Sequence, residues 1–165
     1  MRRLIGLAFL AIVAASCAEA PEAAGGALER AQVATAQTAL GEVLVTGEGM
    51  TLYLFAVDGG TESSCYDECA QTWPPLLTEG TPQAQGTADP SLFGTTTRED
   101  GSTQVTYGGH PLYLYAQDSD PGDTNGQGVD GIWWVVSPGG EGVSGSAGEA
   151  PADTPAEQPT DDYDY

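Results

Sequence analysis

Two cysteines four residues apart, Cys65 and Cys69, are the sharpest chemical feature of this 165-residue chain. On one helical turn that spacing holds the Cα atoms about 5 to 6 Å apart, within reach of a disulfide. The same thiols could instead serve a redox or metal role. The loop such a bond would close is short, so it would pin the segment before Trp73 more than it would stabilise a whole domain. His110, the single histidine, and Met50 offer imidazole and thioether, ligands suited to copper or haem iron; a lone histidine at a turn is otherwise simply solvated. A loop with Asp118, Asp120, Asp123, Asn125 and Asp130 gathers hard oxygens of the kind Ca²⁺ selects. It lacks the Gly and the closing Glu of an EF-hand loop, and Asp, Asn and Gly at this density also build turns. Asp58 and Asp118 could act as a carboxylate pair in acid–base work, as in glycosidases, or could accept hydrogen bonds from turn backbone. No C-x-x-C-H, G-x-S-x-G, H-E-x-x-H or phosphate loop occurs, so covalent haem, nucleophilic, zinc and phosphoryl chemistry lack their residues. The expectation is a protein that is not an enzyme and needs no cofactor, with calcium, copper or haem as the candidates if one binds.

The elements that must position these residues come in duplicate. Residues 44–58, LVTGEGMTLYLFAVD, lie over residues 104–118, QVTYGGHPLYLYAQD, at a constant offset of 60 and with eight identities in fifteen positions. Trp73 then falls on Trp133 without a gap, and Met50 falls on His110. A repeat of this length means two copies of one supersecondary unit. Each copy reads as a β-hairpin, residues 42–46 and 51–57 flanking Gly47-Glu48-Gly49, and the second copy turning at Gly108-Gly109. Tyr53 and Phe55 should share one strand face, with Leu52, Leu54 and Ala56 on the other. Apolar residues on both faces predict strands that are covered on both sides. Residues 132–136 read as a further strand, and residues 65–72 as one short helix stopped by Pro74-Pro75. The fold class expected is mainly β, with two tandem repeats, about 41–80 and 101–140, packed with pseudo-two-fold symmetry in a domain of residues 40–140. Most of the aromatic set, Tyr53, Phe55, Trp73, Tyr113, Tyr115, Trp133 and Trp134, should be core, leaving any exposed member to meet a sugar or a partner.

These residues resemble a known family, the predicted lipoproteins called the secreted repeat of unknown function, marked by a Y-x-[FWY]-x-x-D motif. The motif stands here as Tyr53-Leu-Phe55-Ala-Val-Asp58 and Tyr113-Leu-Tyr115-Ala-Gln-Asp118, with C-x-x-x-C-A-x-x-W-P-P over residues 65–75. The resemblance implies an envelope lipoprotein with no assigned biochemical role, and it supplies no catalytic residues.

The chain ends carry the remaining signals. Residues 1–16 have a basic start at Arg2 and Arg3, an apolar run over residues 4–13, and small residues before Cys17, which is the layout of a secretory signal peptide. Ten apolar residues are too few to span a bilayer. Cys17 resembles the acylated cysteine of a bacterial lipobox, with Ala14 where that motif usually has Leu; an ordinary cleaved signal is the alternative. An odd count of three cysteines fits lipid on Cys17 and a pair at Cys65 and Cys69. Residues 17–39 read as the lipidated cysteine and a flexible tether, with a helical turn or two near residues 27–36, and residues 141–165 as a disordered acidic tail. After residue 16 the chain holds two arginines against 24 carboxylates, a formal charge of −22, and no lysine anywhere. That charge excludes nucleic acid as a partner and leaves the membrane to be reached through the anchor. An acidic surface without lysine suits a salt-rich medium, or simply keeps the tails soluble. The location expected is the bacterial cell envelope, on the outer membrane or cell surface, with an envelope protein or glycan as the partner.

Overall fold

The computed structural model describes residues 29–144, within which eight strands form three small sheets beside one short α-helix. Strands β1 (Gln32–Thr38) and β2 (Gly41–Thr46) pair antiparallel over six residue pairs, from Val33 opposite Thr46 to Thr38 opposite Gly41. Strand β3 (Tyr53–Phe55) follows, then α1 (Asp67–Thr72) and the short β4 (Gln83–Ala84), which lies parallel to β1. In the second half β5 (Phe93–Thr97), β6 (Thr103–Tyr107) and β7 (His110–Pro111) form one antiparallel sheet. Strand β8 (Trp133–Val135) closes the order by pairing antiparallel with β3.

Strict alternation along these strands separates two cores. Val33, Leu44, Leu52, Leu54, Val105, Tyr107, Leu112 and Val136 meet in one. Their sequence neighbours Val43, Val45, Tyr53, Tyr113, Tyr115, Trp133 and Val135 meet in the other, together with Trp73 and Cys65. Period-two side chains on strands covered on both faces give this division. Each buried aliphatic side chain contributes about 1.5–3 kcal/mol by leaving water, so both faces of the central strands matter to stability.

The two copies use equivalent backbone bonds. The Leu76 N–H donates to the Leu112 carbonyl at 2.9 Å, and the Val136 N–H to the Leu52 carbonyl at 3.1 Å. The Ala116 N–H donates to Thr72 at 2.9 Å, and the Ala56 N–H to Ile132 at 2.8 Å. Residues 73–76 thus run beside residues 112–116 as β8 runs beside β3. Pro74 and Pro75 remove two donors there, which is why the first copy has isolated bridges where the second has a strand. The hairpin tips differ. Tyr107 faces His110 across two glycines, Gly108 and Gly109, both at positive φ, the conformation a two-residue turn demands. In the first copy the Thr46 N–H reaches the Met50 carbonyl across one more residue.

Three expectations need correction. Residues 32–38 belong to strand β1, neither to a tether nor to a helical turn. Their alanines and glutamines favour helix locally, but a helix of about ten residues is marginal alone, whereas β1 fills a ladder between β2 and β4 and buries Val33 completely. The domain therefore starts before residue 40. It also runs past residue 140, because the Val143 N–H donates to the Val135 carbonyl and Val143 packs on the second core. Finally, the strand expected over residues 51–57 is interrupted. Thr51 bridges Val45, β3 then leaves for β8, and the chain turns at the Asp58 N–H to Phe55 carbonyl bond, which leaves Val57 58 % exposed.

Candidate functional site

Tyr53, Phe55 and Asp58 of the first motif, Tyr113, Tyr115 and Asp118 of the second, and the paired Trp73 and Trp133 converge on the second core, at the place where the copies meet. Tyr53 and Tyr113, equivalent by the 60-residue offset, face one another and exchange both backbone bonds, each 2.9 Å. Their side chains cross over. The Tyr53 hydroxyl donates to Asp118 Oδ2 at 2.6 Å, and the Tyr113 hydroxyl donates to Asp58 Oδ2 at 2.7 Å. The tyrosine of each motif is thus held by the aspartate of the other. The second oxygen of each carboxylate serves a turn: Asp58 Oδ1 accepts from the N–H and hydroxyl of Ser64, and Asp118 Oδ1 from the N–H of Asn125. Turn capping was legible in the sequence; the exchange of tyrosines was not, because nothing in a linear motif says which copy its partner belongs to.

The surroundings set the charge states. Burial first, and then the hydrogen bond and negative charge of Asp118, push the Tyr53 phenol far above its ordinary range. Burial is also the main cause that raises Tyr113, whose hydroxyl meets the Ser63 hydroxyl at 2.8 Å as well. Asp118 is raised by burial against the opposing hydrogen bond from Tyr53. Both phenols therefore stay protonated at neutral pH and act as donors.

Between the two pairs lies a continuous stack of rings. Phe55 stacks on Trp133 at 4.2 Å between centroids, Trp133 on Trp73 at 3.9 Å and 3°, and Trp73 on Tyr115 at 4.1 Å. Tyr53 meets Trp73 edge-on at 5.4 Å, and Tyr113 meets Trp133 edge-on at 5.2 Å. The disulfide expected between Cys65 and Cys69 is present, with Cα atoms 5.3 Å apart. The Cys69 carbonyl accepts from the Trp73 N–H at 2.7 Å, so the bridge holds the turn that delivers this indole.

One residue central to this site went unnoticed in the sequence. Arg98 is 4 % exposed, donates to the Ser63 hydroxyl, Gln104 Oε1 and the Cys65 carbonyl, and lies 4.4 Å over the Tyr66 ring. Its Nε is buried without a partner among the described residues. The available signal was its rarity, the single arginine between residues 40 and 140 of a chain so rich in acid.

The candidate metal ligands are not gathered. Asp123 accepts from the N–H groups of Ser119 and Asp120, which hold its carboxyl below the usual range. Asp120 and Asp130 are exposed. Met50 and His110 sit on hairpin tips that rest on different loops, Gly49 against Pro121 and Gly108 against Gly140. Among the described residues no three of His, Cys, Asp or Glu are placed to hold a metal ion, and no helix is long and apolar enough to cross a membrane. Cys17 lies outside the described residues.

No curated protein and no solved structure matches this chain. The model of one family, described as a secreted repeat of unknown function, matches twice, over residues 34–77 and 94–137. Each match is 44 residues long and their offset is 60, so together they cover 88 of 165 residues and take in most of strands β1 and β5. The chain belongs to the family of the secreted repeat of unknown function.

Proposed function

We propose that this is a lipid-anchored protein of the bacterial cell envelope, held on the outer membrane or cell surface through Cys17, whose folded domain is a non-enzymatic binding or structural module. The observation that carries the reading is the crossed Tyr53–Asp118 and Tyr113–Asp58 bonding. The motif that marks the family is spent on joining its two copies, and its carboxylates already have partners on both oxygens. An acid–base pair for catalysis needs groups free to meet a substrate. The reciprocal bonds also support packing of the copies about a pseudo-two-fold axis. Export is supported by the family and by the signal layout of residues 1–16. With acyl chains on Cys17, each buried CH₂ adds about 0.8 kcal/mol of membrane affinity. An envelope protein or glycan is the partner class; nucleic acid is disfavoured by the charge.

Intact mass spectrometry and elemental analysis of the protein purified from its native membrane, beside a Cys17→Ala variant, test this. Acyl mass present in the parent and missing from the variant is the expected result. An unmodified Cys17 would remove the anchor, and stoichiometric calcium, copper or iron would replace the module with a metal-binding or redox accessory lipoprotein.

A further inference from the structure

The ring stack is closer than neutral aromatic packing usually is. Neutral aromatic pairs prefer edge-on or offset contacts with centroids about 4.5–7 Å apart, because their faces carry like partial charge. Here three successive spacings are 4.2, 3.9 and 4.1 Å, and the central indoles are parallel to within 3°. Loss of one electron strengthens so close a contact, since a positive charge shared between two facing indoles is attracted by both π systems. Each indole also touches, edge-on, a buried tyrosine whose hydroxyl is already bonded to a carboxylate, Tyr53 to Asp118 at 2.6 Å and Tyr113 to Asp58 at 2.7 Å.

We propose that the Trp73–Trp133 stack and its two flanking tyrosine–carboxylate pairs form a sink for oxidising equivalents delivered by a one-electron oxidant of the oxygen-centred radical class. The oxidant takes one electron from the stacked indoles and leaves an indole radical cation. Tyr53 or Tyr113 returns one electron to the indole, which becomes neutral. The phenolic O–H bond of that tyrosine breaks, and its proton forms a new O–H bond on Asp118 or Asp58. The products are a neutral phenoxyl radical and a neutral carboxylic acid. One electron from a thiol- or quinol-class reductant, with the same proton handed back, restores the resting pair. The hydrogen-bond distances are those at which a proton moves without rearrangement. Burial, which raises the Asp118 carboxyl above its ordinary value, favours its protonated product. This activity is independent of acylation at Cys17.

The test uses the full mature chain carrying Tyr163→Phe and Tyr165→Phe, which removes the two tail phenols. Photogenerated ruthenium(III) polypyridyl ion serves as the oxidant, with the indole and phenoxyl radicals followed by transient absorption. The indole signal should decay into a phenoxyl signal, and more slowly in heavy water. Adding Tyr53→Phe and Tyr113→Phe should lengthen the indole radical's life about tenfold or more, about 1.4 kcal/mol on the barrier. A phenoxyl yield unchanged in that variant would place the radical on another tyrosine and overturn the proposal. So would identical decays of the parent in light and heavy water, a comparison that needs no core substitution.

Discussion

The two tyrosine–carboxylate pairs are equivalent by repeat and unequal by surroundings. On one side the Arg98 guanidinium donates to the Ser63 hydroxyl, which meets the Tyr113 hydroxyl, which donates to Asp58. Donors and acceptors in such a chain polarise one another in one direction, and it begins on a cation. On the other side the Gly126 N–H donates to the Tyr53 hydroxyl at 3.2 Å and no guanidinium takes part. The residue 60 positions before Arg98 is Thr38, half-buried at the end of β1, so only one copy carries the arginine. The Asp118 side is the more enclosed of the two, with that carboxylate 8 % exposed while Ser64, which caps Asp58, is at the surface. Duplication thus preserved which residues bond and let the means of supporting them diverge.

The largest test of this difference is Arg98→Ala. It strips donors from Gln104 Oε1 and the Cys65 carbonyl inside the domain, each worth about 1–3 kcal/mol when left unmet. A loss of about 3 kcal/mol in urea unfolding is expected; a loss below about 1 would mean that the cation supports nothing on its side. Next come the single tyrosine changes. Tyr53→Phe leaves Asp118 and the buried Gly126 N–H short of a partner and should cost about 2 kcal/mol. Tyr113→Phe should cost about 1, because Ser63 and Asp58 can turn to water. Equal or inverted losses would show that enclosure does not separate the pairs.

The smallest effect is a pH dependence. Burial raises Asp118 above its ordinary 3.8, so the fold binds that proton more tightly than the unfolded chain does. Its stabilising contribution is whole below that value and is lost as pH climbs through the folded-state value. Asp89, Asp100 and Asp123 go the other way. Ser91, Ser102 and the N–H groups of Asp120 and Ser119 respectively hold them low, so their contribution is present above 3.8 and lost as pH falls. Stability of Asp118→Asn, measured by urea midpoints over a pH series, should therefore gain on the parent as pH rises out of the acid range. A gain toward low pH would mean that the bonds from Tyr53 and Asn125 outweigh burial.

Much of the fold was legible because its signal is local. Alternating side chains identified β2, β3 and β8, four-residue spacing identified the bridge of Cys65 and Cys69, and the offset of 60 identified the repeat. Strands β1 and β5 escaped because alanine, glutamine and threonine there become strand through pairing with β2 and β6, a tertiary cause. The site was legible as a set of residues, since the two copies of the motif named six and the offset of 60 paired Trp73 with Trp133. Its wiring was not, because Tyr53 and Asp118 are 65 residues apart. Arg98 was missed for the same reason, two of its partners lying at Ser63 and Cys65, 35 and 33 residues away.

The crossing of tyrosine to aspartate also bears on ancestry. A single copy of the unit would carry a phenol without its carboxylate and a carboxylate without its phenol, and it could satisfy both only by meeting another copy. Two identical chains of one repeat each would supply those partners to one another, so a dimer is the simplest forerunner of this domain, and joining the two genes end to end the simplest route from it. In the present chain the halves are bound by a reciprocal obligation: losing Tyr53 leaves Asp118 of the opposite copy short of a donor, and losing Tyr113 does the same to Asp58.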